Sequence, residues 1–234
     1  MRLAKLREQV LEANLDLVRR GLVLSTFGNA SGVARKEGLI VIKPSGVPYE
    51  RMKPSDLVVS DLQGKVVEGK LRPSSDLPTH AALYRAFPAI GAIAHTHSEY
   101  ATAWAQARKS IPCFGTTHAD YFHGAIPLTE VMTDSEIDGE YEANTGAAIV
   151  RAFKGLDPMA IPAVLVPNHG PFAWGADPHE AAENAWMLEA AARMAYLTVV
   201  INADAGALGE KLHDRHFLRK HGAKAYYGQK KRKK

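Results

Sequence analysis

The sequence predicts a single α/β domain, because apolar segments with strand character alternate along the chain with segments of helical periodicity. Its 234 residues, of which 46% are hydrophobic and 23% charged, are typical of a globular protein with a substantial core. Neither an internal repeat nor a linker interrupts the pattern. We therefore expect one domain over residues 1–229 and a basic, disordered tail over residues 230–234.

The first part of the chain contains a predicted helix, a loop, a strand and a hairpin. Apolar residues recur at helical spacing over residues 3–20, and Gly21 is typical of a helix end. Residues 26–32 are small and polar, which predicts a loop, whereas the apolar residues 39–43 predict a strand. Two further apolar segments on either side of Gly64 indicate a hairpin.

Four further helices, two buried strands and a possible returning strand over residues 171–174 are predicted in the rest of the chain. The helices are expected after the polar segment 73–76, over residues 99–107, from Thr133 to about Gly155, and from Asp177 onward. Glu136 and Glu180 complete capping boxes with Thr133 and Asp177. Residues 89–94 and 161–166 are apolar and predict buried strands, whereas residues 212–229 lack apolar periodicity.

Composition excludes several functional classes. No apolar run reaches the ~18 residues of a membrane span, and the first residues lack the apolar segment of a secretion signal. Cys113 is the only cysteine, so no intrachain disulfide can form and a cytoplasmic location is expected. The formal net charge of +4 is due to the five basic residues of the tail. We expect neither nucleic acid nor a membrane as a partner.

His95 and His97 form the first candidate site. They follow a predicted buried strand, on which alternate side chains share a face, so both imidazoles point the same way. His169 lies at the end of another apolar strand, beside a glycine-containing turn. Three histidines with an open position are typical of a catalytic zinc site, although each could instead bond to local backbone. Asp76 is either a fourth ligand or a helix N-cap.

Three small polar loops form the second candidate site. Gly28-Asn29, Ser45-Gly46 and Ser74-Ser75 offer backbone amides and hydroxyl groups, and Lys43 adds a charge nearby. Such loops can bind a phosphate group, although each one taken singly is only a turn. No Walker A or GxGxxG motif indicates a nucleotide.

Seven segments resemble the class II (metal-dependent) aldolase/epimerase family. In chain order they are Asn-Ala-Ser-Gly, Ile-Lys-Pro-Ser-Gly-Val, Pro-Ser-Ser-Asp-x-Pro-Thr-His, His-Thr-His, Gly-Thr-Thr-His-Ala-Asp-Tyr, Asn-His-Gly-Pro-Phe-Ala-Trp-Gly and Leu-Arg-Lys-His-Gly-Ala-Lys-Ala-Tyr-Tyr-Gly-Gln. The resemblance extends from about residue 6 to residue 229. It implies one three-layer α/β/α domain with a largely antiparallel central sheet, assembled as a homotetramer with active sites shared between subunits.

The resemblance also implies roles for individual residues. Zinc, or another divalent ion such as Mn²⁺ or Co²⁺, is expected at four of them, Asp76, His95, His97 and His169. Substrate contacts are expected at Gly28, Asn29, Lys43, Ser45, Gly46, Ser74 and Ser75, and at His216 from a neighbouring subunit. Asp120 is expected to act as an acid or base, with Tyr227 of a neighbouring subunit as its counterpart. From composition alone, an aspartate in a loop and a tyrosine near the end of a chain would not be singled out.

The activity that the resemblance implies is epimerisation of a phosphorylated ketopentose. The expected reaction interconverts L-ribulose 5-phosphate and D-xylulose 5-phosphate by zinc-assisted cleavage and re-formation of the bond between carbons 3 and 4. Two alternatives remain at this point. One is a sugar-phosphate aldolase that releases a free aldehyde, and the other is a non-catalytic scaffold with the same fold.

Overall fold

The computed structural model describes residues 2–227. The basic tail predicted at residues 230–234, and the last two residues of the predicted domain, lie outside the described residues. Within them, one seven-stranded sheet with the order β4-β3-β2-β1-β5-β7-β6 organises the chain. The strands are β1 Asn29–Ala34, β2 Leu39–Ile42, β3 Val58–Asp61, β4 Val66–Glu68, β5 Ala92–His95, β6 Ala163–Val166 and β7 Gly170–Gly175.

Every pairing between neighbouring strands of this sheet is antiparallel. The predicted α/β class with an antiparallel central sheet is therefore confirmed, and so is the hairpin around Gly64, which is formed by β3 and β4. The site-bearing strands lie in the middle of the sheet. In the register of β1 and β5, Asn29 is opposite His95.

Helices cover both faces of the sheet. They are α1 Ala4–Arg19, α2 Leu77–Ala86, α3 Glu99–Gln106, α4 Thr116–Ala119, α5 Asp134–Asp138, α6 Tyr141–Ala152, α7 Pro178–Ile201 and α8 Glu210–His221. Adjacent residues of β1 show the two layers, because alternate side chains of a strand point to opposite faces. The hydroxyl of Ser31 contacts His80 and Tyr84 of α2, whereas Gly32 faces Leu6 and Val10 of α1.

The prediction of a loop over residues 26–32 is wrong for residues 29–32, because these residues belong to strand β1, which begins at Asn29. Small residues are needed there for packing rather than for a turn. A Cβ atom on Gly32 would lie 2.8 Å from Leu6 Cδ1 and 2.9 Å from Val10 Cγ2. Helix α1 can therefore approach the strand only because position 32 has no side chain.

The capping box predicted for Thr133 is confirmed, whereas the one predicted for Asp177 is only half formed, because the Glu180 carboxylate accepts from the Ala176 amide; one predicted helix is also interrupted. Thr133 accepts a hydrogen bond from the Glu136 amide, and Asp177 accepts one from the Glu180 amide. The helix that starts after Thr133 ends at Asp138, and α6 begins after Gly139. Helix α8 was not predicted, because it has no buried residue and hence no apolar stripe. In residues 2–227, no helix combines the length and apolar character that crossing a membrane requires.

Candidate active site

The three predicted histidine ligands converge at one end of the central strands. His95 is the last residue of β5, His97 follows it, and His169 lies in the turn between β6 and β7. The Nε2 atoms of His95 and His97 are 3.2 Å apart, and the donor atoms of all three lie within 4.8 Å of one another. Their rings are nearly perpendicular, with interplanar angles of 73°, 77° and 82°. We call these three residues the histidine triad.

Neighbouring groups hold two triad rings in the orientation that metal binding requires. His95 Nδ1 is 2.9 Å from the Pro171 carbonyl oxygen, so this nitrogen donates and Nε2 keeps its lone pair. His169 Nδ1 lies 3.2 Å from the Tyr141 hydroxyl. Burial lowers the pKa of His97, and burial with the neighbouring histidines lowers the pKa of His169 to about 4. Neutral imidazoles in this arrangement fit a divalent ion such as zinc.

The Asp76 side chain lies beside the triad and does not cap helix α2. It occupies the N-cap position of α2, but its carboxylate caps no backbone amide. Instead, Asn29 Nδ2 donates to Asp76 Oδ2 over 2.6 Å, and the same oxygen is 4.0 Å from His95 Nε2. Burial raises the pKa of Asp76, but His95, His80 and the Asn29 hydrogen bond together keep it below its usual value. The carboxylate is therefore ionised and available to a cation.

A cavity of about 370 Å³ brings the two predicted site groups together. Its lining includes all four predicted metal ligands and seven of the eight predicted substrate-binding residues, Gly28, Asn29, Lys43, Ser45, Gly46, Ser74 and Ser75. The exception is His216, which lies elsewhere. These positions make the predicted roles spatially compatible, and the roles themselves stay predictions.

Two of the polar loops are tied to each other by backbone hydrogen bonds. The amide of Ser45 donates to the Arg72 carbonyl, and the amide of Ser74 donates to the Lys43 carbonyl, each over 2.9 Å. The third loop approaches the triad through Gly28, whose φ is +88°. A Cβ atom there would lie 2.9 Å from the His95 carbonyl oxygen, so glycine is required.

Lys43 supplies the positive charge of the cavity. Among the described lining residues it is the only lysine or arginine. Its ammonium group lies 4.6 Å from the Tyr49 ring centre and within 3.4 Å of the Thr26 and Pro44 carbonyl oxygens. The residue is 2% exposed, and burial lowers its pKa. The carbonyl oxygens and the ring neutralise only part of the charge of this buried ammonium group, so it is suited to bind an anionic group.

Tyr141 and Glu142 line the same cavity and were not singled out from the sequence. Both lie in the first turn of α6, where their side chains carry no local signal that separates them from other helix-surface residues. Only the contact between the Tyr141 hydroxyl and His169 places this turn at the triad. We therefore add both residues to the candidate site.

Asp120, His216 and Arg219 form a second group, separate from the cavity. Asp120 follows α4, and α8 carries the other two residues. Arg219 donates to both carboxylate oxygens of Asp120, over 3.0 and 2.7 Å, and His216 Nδ1 is 3.1 Å from Oδ1. Burial raises the pKa of Asp120, but these two partners outweigh burial and lower it. The Asp120 side chain is 14% exposed, so it is held in these contacts and not freely solvated.

Tyr227 lies beside this group, at the end of the described chain. The Arg219 guanidinium carbon is 4.6 Å from the centre of its ring, and Lys220 Nζ is 5.2 Å from it. The tyrosine is 58% exposed. Arg219 therefore connects Tyr227 to Asp120 within one chain. Among the described residues, neither side chain lines the triad cavity.

Comparison with known proteins identifies the family of the chain. The chain belongs to the class II aldolase and adducin N-terminal domain family, whose sequence model matches residues 8–196. It is 54% identical over 226 residues to the L-ribulose-5-phosphate 4-epimerase UlaF of Salmonella paratyphi A, covering 97% of this chain and 99% of the relative. The UlaF protein of Salmonella typhi matches equally well, with the same identity and coverage.

Solved structures of the family share the fold. An L-fuculose 1-phosphate aldolase superposes with a TM-score of 0.77 at 27% identity, covering 91% of this chain and 94% of the other. The L-fuculose-1-phosphate aldolase of Thermus thermophilus gives a TM-score of 0.67 at 25% identity, covering 88% and 100%. Both structural relatives are named as aldolases, whereas the sequence relatives above are named as epimerases.

Proposed function

We propose that this chain is an L-ribulose-5-phosphate 4-epimerase, which interconverts L-ribulose 5-phosphate and D-xylulose 5-phosphate. The observation that carries the proposal is the cavity in which the histidine triad faces two linked serine loops and the buried Lys43. The identity of 54% to named epimerases over nearly the whole chain supports the same activity. A single cysteine, Cys113, agrees with a cytoplasmic location, which we also propose.

The chemistry of the substrate explains why such a site is needed. Carbon 4 of L-ribulose 5-phosphate is not adjacent to the carbonyl group, so its hydrogen is not acidic enough for simple enolisation. Cleavage of the bond between carbons 3 and 4 avoids this problem, because carbon 3 is adjacent to the carbonyl. Removal of the proton from the carbon-4 hydroxyl starts the cleavage. Re-formation of the bond on the other face of the aldehyde inverts carbon 4.

The polar loops would hold the phosphate end during this sequence. Lys43 would pair with the dianion, while the hydroxyls of Ser45 and Ser74 and the amides of Gly46 and Ser75 would donate hydrogen bonds to its oxygens. This anchoring matters because the aldehyde fragment must rotate without leaving. A retained fragment re-forms the bond, whereas a released fragment would make the protein an aldolase.

The triad would hold the divalent ion, with Asp76 as its carboxylate neighbour. Zinc fits three imidazole ligands, and Mn²⁺ or Co²⁺ would also accept them. When bound, such an ion supplies positive charge that stabilises the negative charge developing on the ketose oxygens, typically by several kcal/mol. The Pro171 carbonyl and Tyr141 hydroxyl would keep the rings directed at it.

Asp120 and Tyr227 would carry the protons on the two faces of the substrate. Each such transfer is typically worth ~10²–10⁴ in rate. Because both residues lie outside the triad cavity of their own chain, a neighbouring subunit would supply them. Exposed apolar residues at the end of α7, including Val200 and Ile201, are 62% and 84% exposed and give a surface that such an assembly would cover. A homotetramer with shared sites is therefore proposed.

A coupled assay for D-xylulose 5-phosphate tests the proposal. The purified, zinc-loaded protein is incubated with L-ribulose 5-phosphate, and any released aldehyde is trapped in a parallel reaction. We expect xylulose 5-phosphate without free aldehyde. Accumulation of glycolaldehyde phosphate without xylulose 5-phosphate would identify an aldolase, the activity named for the structural relatives. Absence of both products from a protein that takes up no zinc would support a non-catalytic scaffold.

A further inference from the structure

Behind the triad lies a fully buried polar chain that the proposed chemistry does not use. Ser31 of β1 and His80 and Tyr84 of α2 are each 0% exposed. Ser31 Oγ is 2.7 Å from His80 Nδ1 and 2.7 Å from the Tyr84 hydroxyl. A buried hydroxyl without an acceptor is costly, so we expect the two hydroxyl hydrogens of this chain to be used in hydrogen bonds.

The order of donors in this chain follows from its partners. Ser31 is the only side-chain hydrogen-bond partner of the Tyr84 hydroxyl among the described residues. If His80 donated to Ser31 and Ser31 to Tyr84, the tyrosine hydrogen would have no side-chain acceptor there. In the opposite order Tyr84 donates to Ser31, Ser31 donates to His80 Nδ1, and every hydroxyl hydrogen is used. The imidazole then carries its own hydrogen on Nε2.

The position of that Nε2–H connects the chain to the site. His80 lies four residues after Asp76, on the same face of α2 and one turn further along. Its Nε2 atom is buried and has no hydrogen-bond partner among the described residues, and neither does the Oδ1 atom of Asn29 beside Asp76. Phe172 stacks on His95 at 4.1 Å and contacts the His80 ring edge-on at 6.1 Å, so His80 lies directly behind the triad.

We propose that His80 is a positioning residue for Asp76. The hydrogen bonds from Tyr84 to Ser31 and from Ser31 to His80 hold the imidazole with its Nε2–H directed at the Asp76 carboxylate. This carboxylate therefore stays turned toward His95 and the metal. The inference deepens the proposed function and rests on it, because Asp76 matters here only as a group of the metal site. His80 itself contacts neither metal nor substrate. Groups in this position commonly alter metal affinity by ~10–100-fold.

The test measures metal retention in the cobalt-loaded protein. Cobalt loss to a chelator is followed by its visible absorption, whose intensity also reports the coordination geometry. We expect His80→Leu and Tyr84→Phe to lose cobalt ~10–100-fold faster than the parent protein. His80→Gln, which keeps an N–H donor of similar reach, should recover part of the loss. Ser60→Ala is the matched control for Ser31→Ala, because Ser60 is an equally buried strand serine outside the site.

A double-mutant cycle with Asp76→Asn separates positioning from packing. If His80 acts through Asp76, His80→Leu has no further effect on cobalt loss once Asp76 is Asn. Equal acceleration with and without the carboxylate, or no acceleration by Tyr84→Phe, would overturn the proposal. If His80→Leu fails to fold, Tyr84→Phe and Ser31→Ala replace it, and each is combined with Asp76→Asn in the same cycle. Failure of the parent protein to bind cobalt or to epimerise would instead refute the proposed function.

Discussion

Two groups of three possible metal ligands occur in the described part of the chain, and they differ in the orientation of their rings. The histidine triad is one, and His123, His213 and Asp214, which we call the α8 cluster, is the other. In each group the donor atoms lie within 4.8 Å of one another. The triad rings are nearly perpendicular, whereas His123 and His213 are stacked at 4.9 Å with an interplanar angle of 11°.

This difference separates a metal site from a packing contact. An imidazole binds a metal along the lone pair in its ring plane, so one ion can serve several rings only if their planes intersect at it. The triad meets this condition, but two stacked rings do not. In the α8 cluster the Nε2 atoms of both histidines already have partners, since His123 Nε2 is 2.8 Å from Asp214 and His213 Nε2 is 3.1 Å from the Phe122 carbonyl. The α8 cluster therefore fastens α8 to the domain.

The largest effect is expected from removing a triad ring. His97→Asn should abolish stoichiometric metal binding and lower kcat/KM by ~10³-fold or more, because several kcal/mol of charge stabilisation are lost. Elemental analysis of the purified variant, combined with the coupled epimerase assay, measures both quantities. A variant that keeps one metal ion per chain with full turnover would show that the convergent rings are not the metal site.

Tyr227→Phe should give the next largest effect and should separate the two halves of the proposed site. Turnover is expected to fall by ~10²–10⁴, because one proton carrier is removed while the triad is untouched. Metal content should stay at the level of the parent protein. Tyr226→Phe is the matched control, since it removes the neighbouring exposed hydroxyl. Equal losses in both variants would point to a disturbed chain end and not to catalysis.

These two halves also differ in how far the sequence predicts them. The triad is predictable because strand alternation places His95 and His97 on one face, and His169 ends another apolar strand. The link between Asp120 and Arg219 joins residues 99 positions apart through a helix that buries nothing, so no local pattern signals it. The resemblance to the family identified Asp120 but not Arg219.

The fold shows the same contrast. Helices α1 and α7 were predicted from periodicity and capping residues, which are local properties. Strand β1 was not predicted, because the requirement for Gly32 comes from Leu6 and Val10, which lie 26 and 22 positions earlier in the chain. Tyr141 likewise belongs to the site only through a contact with a distant turn. Contacts between residues that are far apart in the chain leave no pattern that can be recognised in a single sequence.

A smaller effect, confined to acidic pH, is expected from Arg219→Gln. Burial raises the pKa of Asp120, and Arg219 and His216 lower it to a net value below normal, so loss of Arg219 should raise it. The stability and activity that depend on the carboxylate persist above its folded-state pKa and are lost as pH falls through it. The acidic limb of the kcat/KM profile should therefore move to higher pH. Superimposable profiles would contradict this role of Arg219.

Arg215→Gln provides the control for that experiment. Arg215 lies one turn earlier on α8, is exposed and forms no ion pair among the described residues. Its profile should coincide with that of the parent protein. At neutral pH the turnover of Arg219→Gln should stay close to that of the parent protein, in contrast to the ~10²–10⁴-fold loss expected when Asp120 itself is replaced by Asn.

The smallest effect is expected in the α8 cluster, and it tests the comparison directly. His123→Asn removes a hydrogen bond between side chains that are 40% and 42% exposed, and such exposed pairs contribute about 0–1 kcal/mol. Metal content should be unchanged, and turnover should fall by less than about fivefold through a looser α8. If His123→Asn instead lost a metal ion that His97→Asn retained, the stacked rings would be a second metal site. Ring orientation would then not distinguish the two groups.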